Sequence, residues 1–393
     1  MLLAQAREIN ASHYGTLSDA VAACAGAETC RITMPSGEYL LNAPLTLSSG
    51  ISLIGEPGVI IKPTNETFDA IQAFGNRDIF TTTLAQGSDV TYLKLSSTQG
   101  LLPGDMILVH GPDDISSHAN EVDQVLGTEL IRLRYKRPSA IAIGSTVSRV
   151  TPVSNILLKD FEIAGGQRSY FFRDCRDITL RGVTLRNSSF NPSVHTSVRF
   201  NVGSTSLIGG NGGFLFASST ACRVLDSSAT GYKLGGVFFR HCSVSIIQGV
   251  KTVSTHSFAV AGQSGDGITL FRSSHCRIID NQISDSSCYG IWVNESEQPT
   301  VTGNVIENTF TSGIYATKCL SPIITDNVIK NLSTAHGVAL VGGLGALVQG
   351  NRAENCVYGY VLLQTDRTIL GKNFATAVQR FEFLHQNTNL VRR

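Results

Sequence analysis

The sequence predicts an all-β protein, a right-handed parallel β-helix with an N-terminal capping helix and a small inserted β subdomain. The first observation is a repeat in which a glycine precedes a strand and an asparagine follows fourteen residues after the glycine. The successive glycines are 23, 23, 24 and 22 residues apart, at Gly267, Gly290, Gly313, Gly337 and Gly359. A period in this range is typical of a solenoid, in which each coil buries its apolar face against its neighbours.

The second observation is strand alternation inside each repeat, as in Ile291 and Val293 against Trp292 and Asn294. This is the period of a β-strand, and no segment has a sustained helical stripe. The third observation is a column of asparagines, which we expect to form a ladder of side-chain amides in one turn: Asn281, Asn304, Asn327, Asn351 and Asn373. These features predict a β-helix of about ten or more coils.

Three segments carry the coil pattern I-x-x-N-x-I…G-I-x-V: CRIIDNQISDSSCYGIWVN, TVTGNVIENTFTSGIYATK and IITDNVIKNLSTAHGVALV. In this pattern the chain resembles the pectate-lyase-like right-handed parallel β-helix superfamily. Near the N-terminus, ITMPSGEYLL and GISLIGEPGVII are similar to the entry coils of that superfamily. The resemblance implies the fold and a carbohydrate-active protein, but it does not select a reaction. The chain lacks the Asp-Pro-His-Asp signature of the alginate epimerases and the Asn-Thr-Asp, Asp-Asp, Gly-His-Gly set of the polygalacturonases.

The domain organisation follows from where the coil rhythm begins and breaks. The predicted regions are an N-terminal cap helix with entry coils, an inserted small β subdomain, the β-helix body and a C-terminal cap, at residues 1–75, 76–150, 151–375 and 376–393. In the first region, residues 16–25 have the apolar stripe of a short amphipathic helix, with Thr16 or Ser18 as its N-cap. Such a helix can close the open apolar end of a solenoid.

The insert is predicted to contain two β-hairpins separated by the polar segment 112–124. In that segment Asp113, Asp114, His118 and Glu121 are residue types that bind metals, but a flexible loop is the favoured interpretation. The chain has no CxxC or His-x-His pair, so the sequence predicts no metal site and no cofactor.

Charge and hydropathy limit the partners. The net charge is +1 and only 16% of the residues are charged, which does not favour nucleic acid or an anionic membrane as a partner. No run approaches the roughly 20 apolar residues of a membrane span. The first six residues, MLLAQA, resemble the end of a secretory signal, and an ordinary cytoplasmic start fits them equally well.

The cysteines favour export. Cys24 and Cys30 flank a short loop and could form a disulfide, which would place the protein in an oxidising compartment. The other seven cysteines are expected to be buried apolar residues of the coils. The predicted location is therefore secreted or periplasmic.

Alternation along the glycine-led strands predicts which side chains point outward. Residues two and four positions after each glycine should face the groove in which this superfamily is expected to bind substrate. On neighbouring coils, aromatic and polar residues concentrate at these positions and at the position just before the glycine, with two cations at the edge: Phe238, Arg240, Asp266, Tyr289, Trp292, Asn294, Tyr315, Arg272 and Lys318. Aromatic rings beside polar groups suit stacking on sugar rings, although single exposed aromatic residues are common.

One insertion interrupts the regular coils. Gly236 and Gly267 are 31 residues apart, and the extra residues fall in a loop that contains His256 and ends at Asp266. A loop that breaks a repeat often carries function. From the preceding coil, Tyr232 and Lys233 are expected to reach the same edge.

Two chemistries fit these residues. A lyase or epimerase of uronic acids needs a base, for which His256, Tyr289 and Lys233 are candidates, and a group such as Arg240 that neutralises the carboxylate. A glycoside hydrolase needs two carboxyl groups about 5–9.5 Å apart. Asp266 is one candidate for that pair and Asp285 is its best partner, but this second case has less support.

The sequence therefore predicts a carbohydrate-active enzyme that acts on a polysaccharide or oligosaccharide, most readily as a lyase or epimerase of a uronate-containing glycan. In this hypothesis the catalytic residues are His256, Asp266, Arg240, Lys233 and Tyr289, and the substrate-binding residues are Tyr232, Phe238, Trp292, Asn294, Tyr315, Arg272 and Lys318. The alternatives are a glycoside hydrolase and a non-catalytic carbohydrate-binding or tail-spike-like β-helix. A homo-oligomer such as a trimer is left open.

Overall fold

The computed structural model of the chain describes residues 6–111, 117–139, 141–254 and 265–392. It confirms the predicted fold class, a right-handed parallel β-helix with very little helix. The chain forms two compact units: unit 1 comprises residues 1–211 and 216–223, and unit 2 comprises residues 212–215 and 224–393. In each unit the coils contribute strands to three parallel sheets, which we call the first, second and third sheet in the order in which the chain visits them.

In unit 1 the parallel strands pair coil to coil in all three sheets. The first sheet contains Ala6–Asn10, Thr29–Met34, Ile51–Gly55, Val153–Lys159, Cys175–Arg181 and Val198–Gly203. The second contains Gly37–Leu41, Val59–Pro63, Glu162–Ala164, Thr184–Arg186 and Ser206–Ile208. The third contains Leu45–Thr46, Ile71–Phe74, Tyr170–Arg173 and Ser193–His195.

The predicted capping helix is present and somewhat shorter than expected, at Leu17–Ala22 after a 3-10 turn at Ala11–His13. Thr16 is its N-cap, because its hydroxyl accepts a hydrogen bond from the backbone N–H of Asp19 at 3.1 Å. The predicted disulfide between Cys24 and Cys30 is also confirmed, with the two Cα atoms 5.7 Å apart.

Six antiparallel strands of unit 1 form a separate sheet around its own apolar core. In chain order they are Asn76–Thr82, Tyr92–Lys94, Met106–Val109, His118–Val125, Leu130–Leu133 and Thr146–Thr151. The prediction of two hairpins is wrong, because Tyr92–Lys94 pairs with Leu130–Leu133 and Met106–Val109 pairs with both His118–Val125 and Thr146–Thr151. The pairings of Tyr92–Lys94 with Leu130–Leu133 and of Met106–Val109 with Thr146–Thr151 join strands distant in sequence, which local turn signals do not reveal.

The segment expected to be a flexible loop is partly a buried strand. Asp113 and Asp114 lie outside the described residues, but His118 and Glu121 are buried in His118–Val125. The Glu121 carboxylate accepts a hydrogen bond from Arg176 at 3.4 Å and pairs with Arg199, both on first-sheet strands of the coils. A buried carboxylate needs such partners, so Glu121 ties the antiparallel sheet to the coils of unit 1. In the described part of the chain, no three His, Cys, Asp or Glu side chains cluster as a metal site.

Unit 2 repeats the same three-sheet pattern. Its first sheet contains Ile246–Gln248, Arg277–Ile279, Thr300–Thr302, Ile323–Thr325, Leu347–Gln349, Ile369–Leu370 and Val391–Arg392. Its second sheet contains Ser228–Tyr232, Lys251–Ser254, Gln282–Ser284, Val305–Glu307 and Phe374–Thr376. Its third sheet contains Gly235–Arg240, Asp266–Phe271, Tyr289–Asn294, Ser312–Leu320 and Arg380–His385. The long strands Val328–Leu344 and Arg352–Asp366 run through both, while Phe214–Ala217 and Arg223–Leu225 contain the unit boundaries. No helix in the described residues is long and apolar enough to cross a membrane.

The predicted inward columns and the asparagine ladder are confirmed in unit 2. Ile268, Ile291, Ile314 and Val338 align in register and are at most 1% exposed. The Asn281 side-chain amide donates to Asn304 Oδ1 at 2.9 Å, and the same contact continues through Asn327, Asn351 and Asn373. Each rung therefore satisfies buried polar groups that would otherwise destabilise the stack.

A second column explains why glycine recurs one position before the ladder asparagine. Asp280 and Gly303 occupy successive coils, both in the left-handed region with φ of +53° and +68°. The Asp280 carboxylate lies where a Cβ on Gly303 would be, so only glycine fits beneath it. Asp326 and Gly350 repeat the arrangement.

Candidate functional site

The outward face of the third sheet in unit 2 brings most of the predicted substrate-binding residues together. Phe238, Thr269, Trp292 and Tyr315 align across neighbouring strands, as do Arg240, Phe271, Asn294 and Thr317. Apart from Thr269, which is buried, these side chains are partly exposed. We call this surface the aromatic face, and it follows from strand alternation at the two outward positions after each glycine.

The centre of the aromatic face is a continuous set of rings. Tyr289 and Tyr315 stack in parallel with centroids 4.6 Å apart and an interplanar angle of 10°. Trp292 lies 6.0 Å from Tyr289 and 6.3 Å from Phe271. Such spacings hold the rings against one another, so the face is preorganised.

Cations border these rings. The guanidinium carbons of Arg240 and Arg272 lie 5.4 and 5.2 Å from the centre of Phe271. Glu295 accepts a hydrogen bond from Arg272 at 2.7 Å and lies 3.7 Å from the Lys318 amine. The hydrogen bond from Arg272 and the charges of both cations hold the pKa of Glu295 below its usual value.

Two buried donors on the aromatic face are unsatisfied. Trp292 Nε1 and Arg240 Nε are shielded from solvent, and neither has a hydrogen-bond partner among the described residues. An unmade hydrogen bond at a buried donor costs about 1–3 kcal/mol. An acceptor oxygen of a ligand can satisfy either atom once a side-chain movement exposes it. Nearby, Asn294 Oδ1 accepts a hydrogen bond from the Thr317 hydroxyl at 2.8 Å.

Asp266 is beneath this face rather than on it, since its exposed fraction is 1%. Its carboxylate accepts hydrogen bonds from the Tyr289 backbone N–H at 3.2 Å and from the Thr269 hydroxyl at 3.0 Å. Burial raises the pKa of Asp266 to about 6, although these hydrogen bonds and one from Cys288 oppose the shift. Asp266 thus anchors the strand that carries Tyr289.

The remaining predicted residues differ in placement. Lys233 is exposed, and His256 lies outside the described residues. Burial, with nearby Cys288, Tyr315 and Asp266, raises the pKa of Tyr289 to about 12, so its hydroxyl is a poor base at neutral pH.

The expectation that Tyr232 reaches the surface is wrong, because it is fully buried. Its hydroxyl interacts with Thr252 and Ser286. The pairing of Ser228–Tyr232 with Lys251–Ser254 shifts register between Thr230 and Tyr232, where Gly231 has a φ of +73°. The extra residue of this bulge turns Tyr232 inward.

Unit 1 carries a second cluster that the sequence reasoning missed. On the outward face of its third sheet, Phe171 contacts the Phe74 ring at 5.5 Å and the His195 ring at 5.1 Å, both edge to face. The guanidinium carbon of Arg168 lies 4.7 Å from the centre of the Phe171 ring, and that of Arg173 lies 5.1 Å from the centre of Phe74. We call this surface the histidine face.

A sequence signal for the histidine face exists, but it is weak. The strand YFFR alternates buried and outward residues, but SVH buries its first two residues, and no glycine precedes either strand to fix the register. The assignment of inward and outward positions made for unit 2 could therefore not be extended to unit 1.

Comparison with known proteins supports the fold. Residues 212–375 match the family described as "Right handed beta helix region". A search of curated protein sequences finds no match. Among solved structures, the A-module of mannuronan C-5 epimerase AlgE6 from Azotobacter vinelandii superposes with a TM-score of 0.64 and 15% identity, over 98% of this chain and 99% of that chain.

Two further structures extend the comparison. The tailspike gp61 of Pseudomonas phage phi297 gives a TM-score of 0.58 at 13% identity, over 95% of this chain and 72% of that one. The catalytic unit of a GH87 alpha-1,3-glucanase from Streptomyces thermodiastaticus gives 0.54 at 11% identity, over 97% of this chain and 68% of that one. At these identities the likeness shows the fold, and the resemblance to the pectate-lyase-like β-helix superfamily is confirmed at that level.

Proposed function

We propose that this protein is a carbohydrate-active enzyme that binds a polysaccharide or oligosaccharide and acts as a lyase or epimerase on its uronate residues. The observation that carries the proposal is the aromatic face, where stacked rings, two unsatisfied donors and bordering cations occupy one surface. Each of these features matches one part of an acidic sugar.

The rings match the apolar side of a sugar. A pyranose ring has a face of C–H groups, and the Trp292 indole together with the Tyr289–Tyr315 pair offers flat apolar area at little entropic cost. Once a side-chain movement exposes them, Trp292 Nε1 and Arg240 Nε can donate to ring hydroxyls. Binding would satisfy donors that the free protein leaves unpaired, and this favours a polar ligand over an apolar one.

The cations match a carboxylate. Arg240, Arg272 and Lys318 can attract an anionic polymer, while Glu295 offsets only part of their charge. The name of the AlgE6 structure, a mannuronan epimerase, gives a uronate polymer as the substrate of a protein with this fold. Arg240 remains the proposed carboxylate neutraliser, and His256 and Lys233 remain proposed acid–base residues. Asp266 is instead proposed to position Tyr289.

A glycoside hydrolase is the second candidate, and the raised pKa of Asp266 favours it, since a general acid should be protonated near neutral pH. Against it, the Asp266 carboxylate is buried and already accepts hydrogen bonds from protein donors. Its predicted partner Asp285 is exposed and accepts a hydrogen bond from Asn308 at 3.1 Å. A non-catalytic binding protein is the third candidate, in keeping with the tailspike structure.

The test is incubation of the full chain with a panel of uronate and neutral polysaccharides. Unsaturated uronate absorbance reports a lyase, deuterium incorporated from heavy water without chain cleavage reports an epimerase, and new reducing ends without unsaturation report a hydrolase. We expect one of the first two on a uronate polymer. Binding without any product would contradict the proposal and favour the non-catalytic alternative. The disulfide fits the proposed secreted or periplasmic location.

A further inference from the structure

We propose that His195, with Arg168 and Arg173 beside it, forms a site for a sugar carboxylate in which the imidazole is the general base. This inference rests on the proposed function and changes its catalytic assignment: the proton transfer goes to His195 in place of His256 and Lys233, and Arg168 and Arg173 hold the reacting carboxylate in place of Arg240.

The register of the third sheet brings the three side chains to one surface. Arg173 pairs directly with His195 on the next strand and with Phe74 on the preceding one, so these outward positions form a row. Phe171 lies in the neighbouring row and contacts both the His195 ring and the Arg168 guanidinium. One phenyl ring therefore holds an imidazole and a cation in place together.

Two of the nearby guanidinium groups retain donors for a ligand. Arg168 uses only Nη1, which donates to the Asp69 carboxylate at 3.2 and 3.3 Å. Arg173 makes only a 3.6 Å contact from Nε to Asp174 and is 48% exposed. Within the described residues their other guanidinium nitrogens make no hydrogen bond. A planar guanidinium matches a carboxylate geometrically, so the pair can hold one.

Arg77 has a different role. It donates to both oxygens of the buried Asp174, at 2.7 and 2.8 Å, and to the Thr196 hydroxyl at 2.9 Å. It supplies positive potential to the site but has fewer donors left for a ligand. The charged groups around the site are thus three cations against two carboxylates: Arg77, Arg168, Arg173, Asp69 and Asp174.

His195 itself can accept a proton. In the described part of the chain neither ring nitrogen makes a hydrogen bond, and neither is among the atoms sealed from solvent. Burial, followed by the charges of Arg168, Arg173 and Arg77, lowers the pKa of His195 to about 4, so the imidazole is neutral at neutral pH. A bound carboxylate would offset the positive field and make the imidazole more basic.

This coupling gives selectivity for free acids. A carboxylate strengthens the base that attacks the carbon next to it, whereas a neutral sugar or a methyl ester leaves the base weak. In the step, the C–H bond beside the carboxylate breaks, the proton moves to an imidazole nitrogen, and the electron pair delocalises into the carboxylate held by the arginines. Lyases and epimerases share this step.

The first experiment follows the His195 imidazole by NMR in the labelled full chain, with the signal assigned by its loss in His195→Gln. Oligomannuronate and oligogalacturonate are the probes, and their methyl esters and a neutral oligosaccharide of equal length are the controls. We expect at least one uronate to raise the pKa of His195 by about 1 unit or more, and we expect no change with the controls. An unchanged pKa with every uronate would overturn the proposal.

The second experiment measures turnover on the polymer that the parent converts. His195→Gln should lower kcat by about 10²–10⁴-fold with little change in affinity, and Arg173→Gln should abolish the ligand-induced pKa shift. His13→Gln, an exposed histidine of unit 1, is the matched control and should match the parent.

The two readouts separate the inference from the proposed function. If uronate shifts the pKa of His195 but the protein converts no polymer, the carboxylate site is supported and the proposed enzymatic function is rejected. If the parent converts the polymer and His195→Gln keeps the full rate and melts normally, the role of His195 as the base is rejected and the proposed enzymatic function stands.

Discussion

The third sheets of the two units share one construction and carry different chemistry. In both, strand alternation sends side chains outward in rows, and a phenylalanine contacts one or two arginines, Phe171 in unit 1 and Phe271 in unit 2. The histidine face adds a titratable imidazole, while the aromatic face adds stacked rings and no accessible base among its described outward residues. The same scaffold thus presents an imidazole beside arginines on one surface and stacked aromatic rings on the other.

The two faces also differ in how their buried groups respond to pH. The pKa of His195 is lowered to about 4 in the folded chain, so between about pH 4 and 6.5 the imidazole binds a proton more readily in the unfolded chain. This group therefore makes the fold more stable as pH rises from about 4 to 6.5. The pKa of Asp266 is raised to about 6 in the folded chain, so between about pH 4 and 6 the carboxyl group holds its proton more tightly in the folded chain than in the unfolded one. This group therefore makes the fold less stable as pH rises from about 4 to 6.

The largest loss of stability should come from disrupting the buried column of side chains under the aromatic face. Ile291→Asp places an unpaired charge in a fully buried column and should unfold the middle coils of unit 2. Trp292→Asp, one residue along and facing outward, is the matched control and should melt normally. Circular dichroism on heating measures both, and a stable Ile291→Asp protein would contradict the register.

Asp266→Asn tests the opposite effects that His195 and Asp266 are expected to have on stability as the pH changes. The variant should lack the parent's loss of stability between pH 4 and 6, a difference of up to about 3 kcal/mol. Thr269→Val removes a hydrogen bond that lowers the folded-state pKa of Asp266, so the upper end of the pH window should move upward while its lower end stays near pH 4. Urea unfolding at a series of pH values measures these differences, and parallel profiles for the parent and Asp266→Asn would show that Asp266 does not carry the effect.

Asn304→Ala tests whether the ladder is scaffold and not site. The substitution leaves the Asn327 Oδ1 acceptor and neighbouring carbonyls without their donor, which should cost about 1–3 kcal/mol of unfolding free energy. Affinity for the glycan should be unchanged. Lost binding at unchanged stability would mean that the ladder had been assigned the wrong role.

A smaller loss is expected from Gly303→Ala, because the left-handed backbone and the Asp280 carboxylate both oppose a Cβ there. The cost should be about 1–2 kcal/mol. Gly87→Ala, where nothing lies within 4 Å of the added carbon, provides the comparison in unit 1 and should be close to neutral. Equal melting temperatures for the two variants would contradict the steric account.

The sequence predicted unit 2 better than unit 1 for a physical reason. The glycine before each strand sets the phase of alternation, so the rows through Ile291 and Trp292 could be assigned residue by residue. A single bulge at Gly231 reverses that phase, and no local signal placed Tyr232 inside. In unit 1 the strand with His195 has no such marker, and Arg77 comes from the antiparallel sheet, so their proximity depends on long-range pairing.

The proposed roles of the two faces, substrate binding by the aromatic face and proton transfer by the histidine face, are tested most directly by steady-state kinetics of Trp292→Ala and His195→Gln on one uronate polymer. Trp292→Ala should raise KM by about 3–10-fold, from the loss of about 0.5–1.5 kcal/mol of stacking, with kcat retained. His195→Gln should lower kcat with KM retained. The reverse pattern, or two variants with parental kcat and KM, would contradict the account.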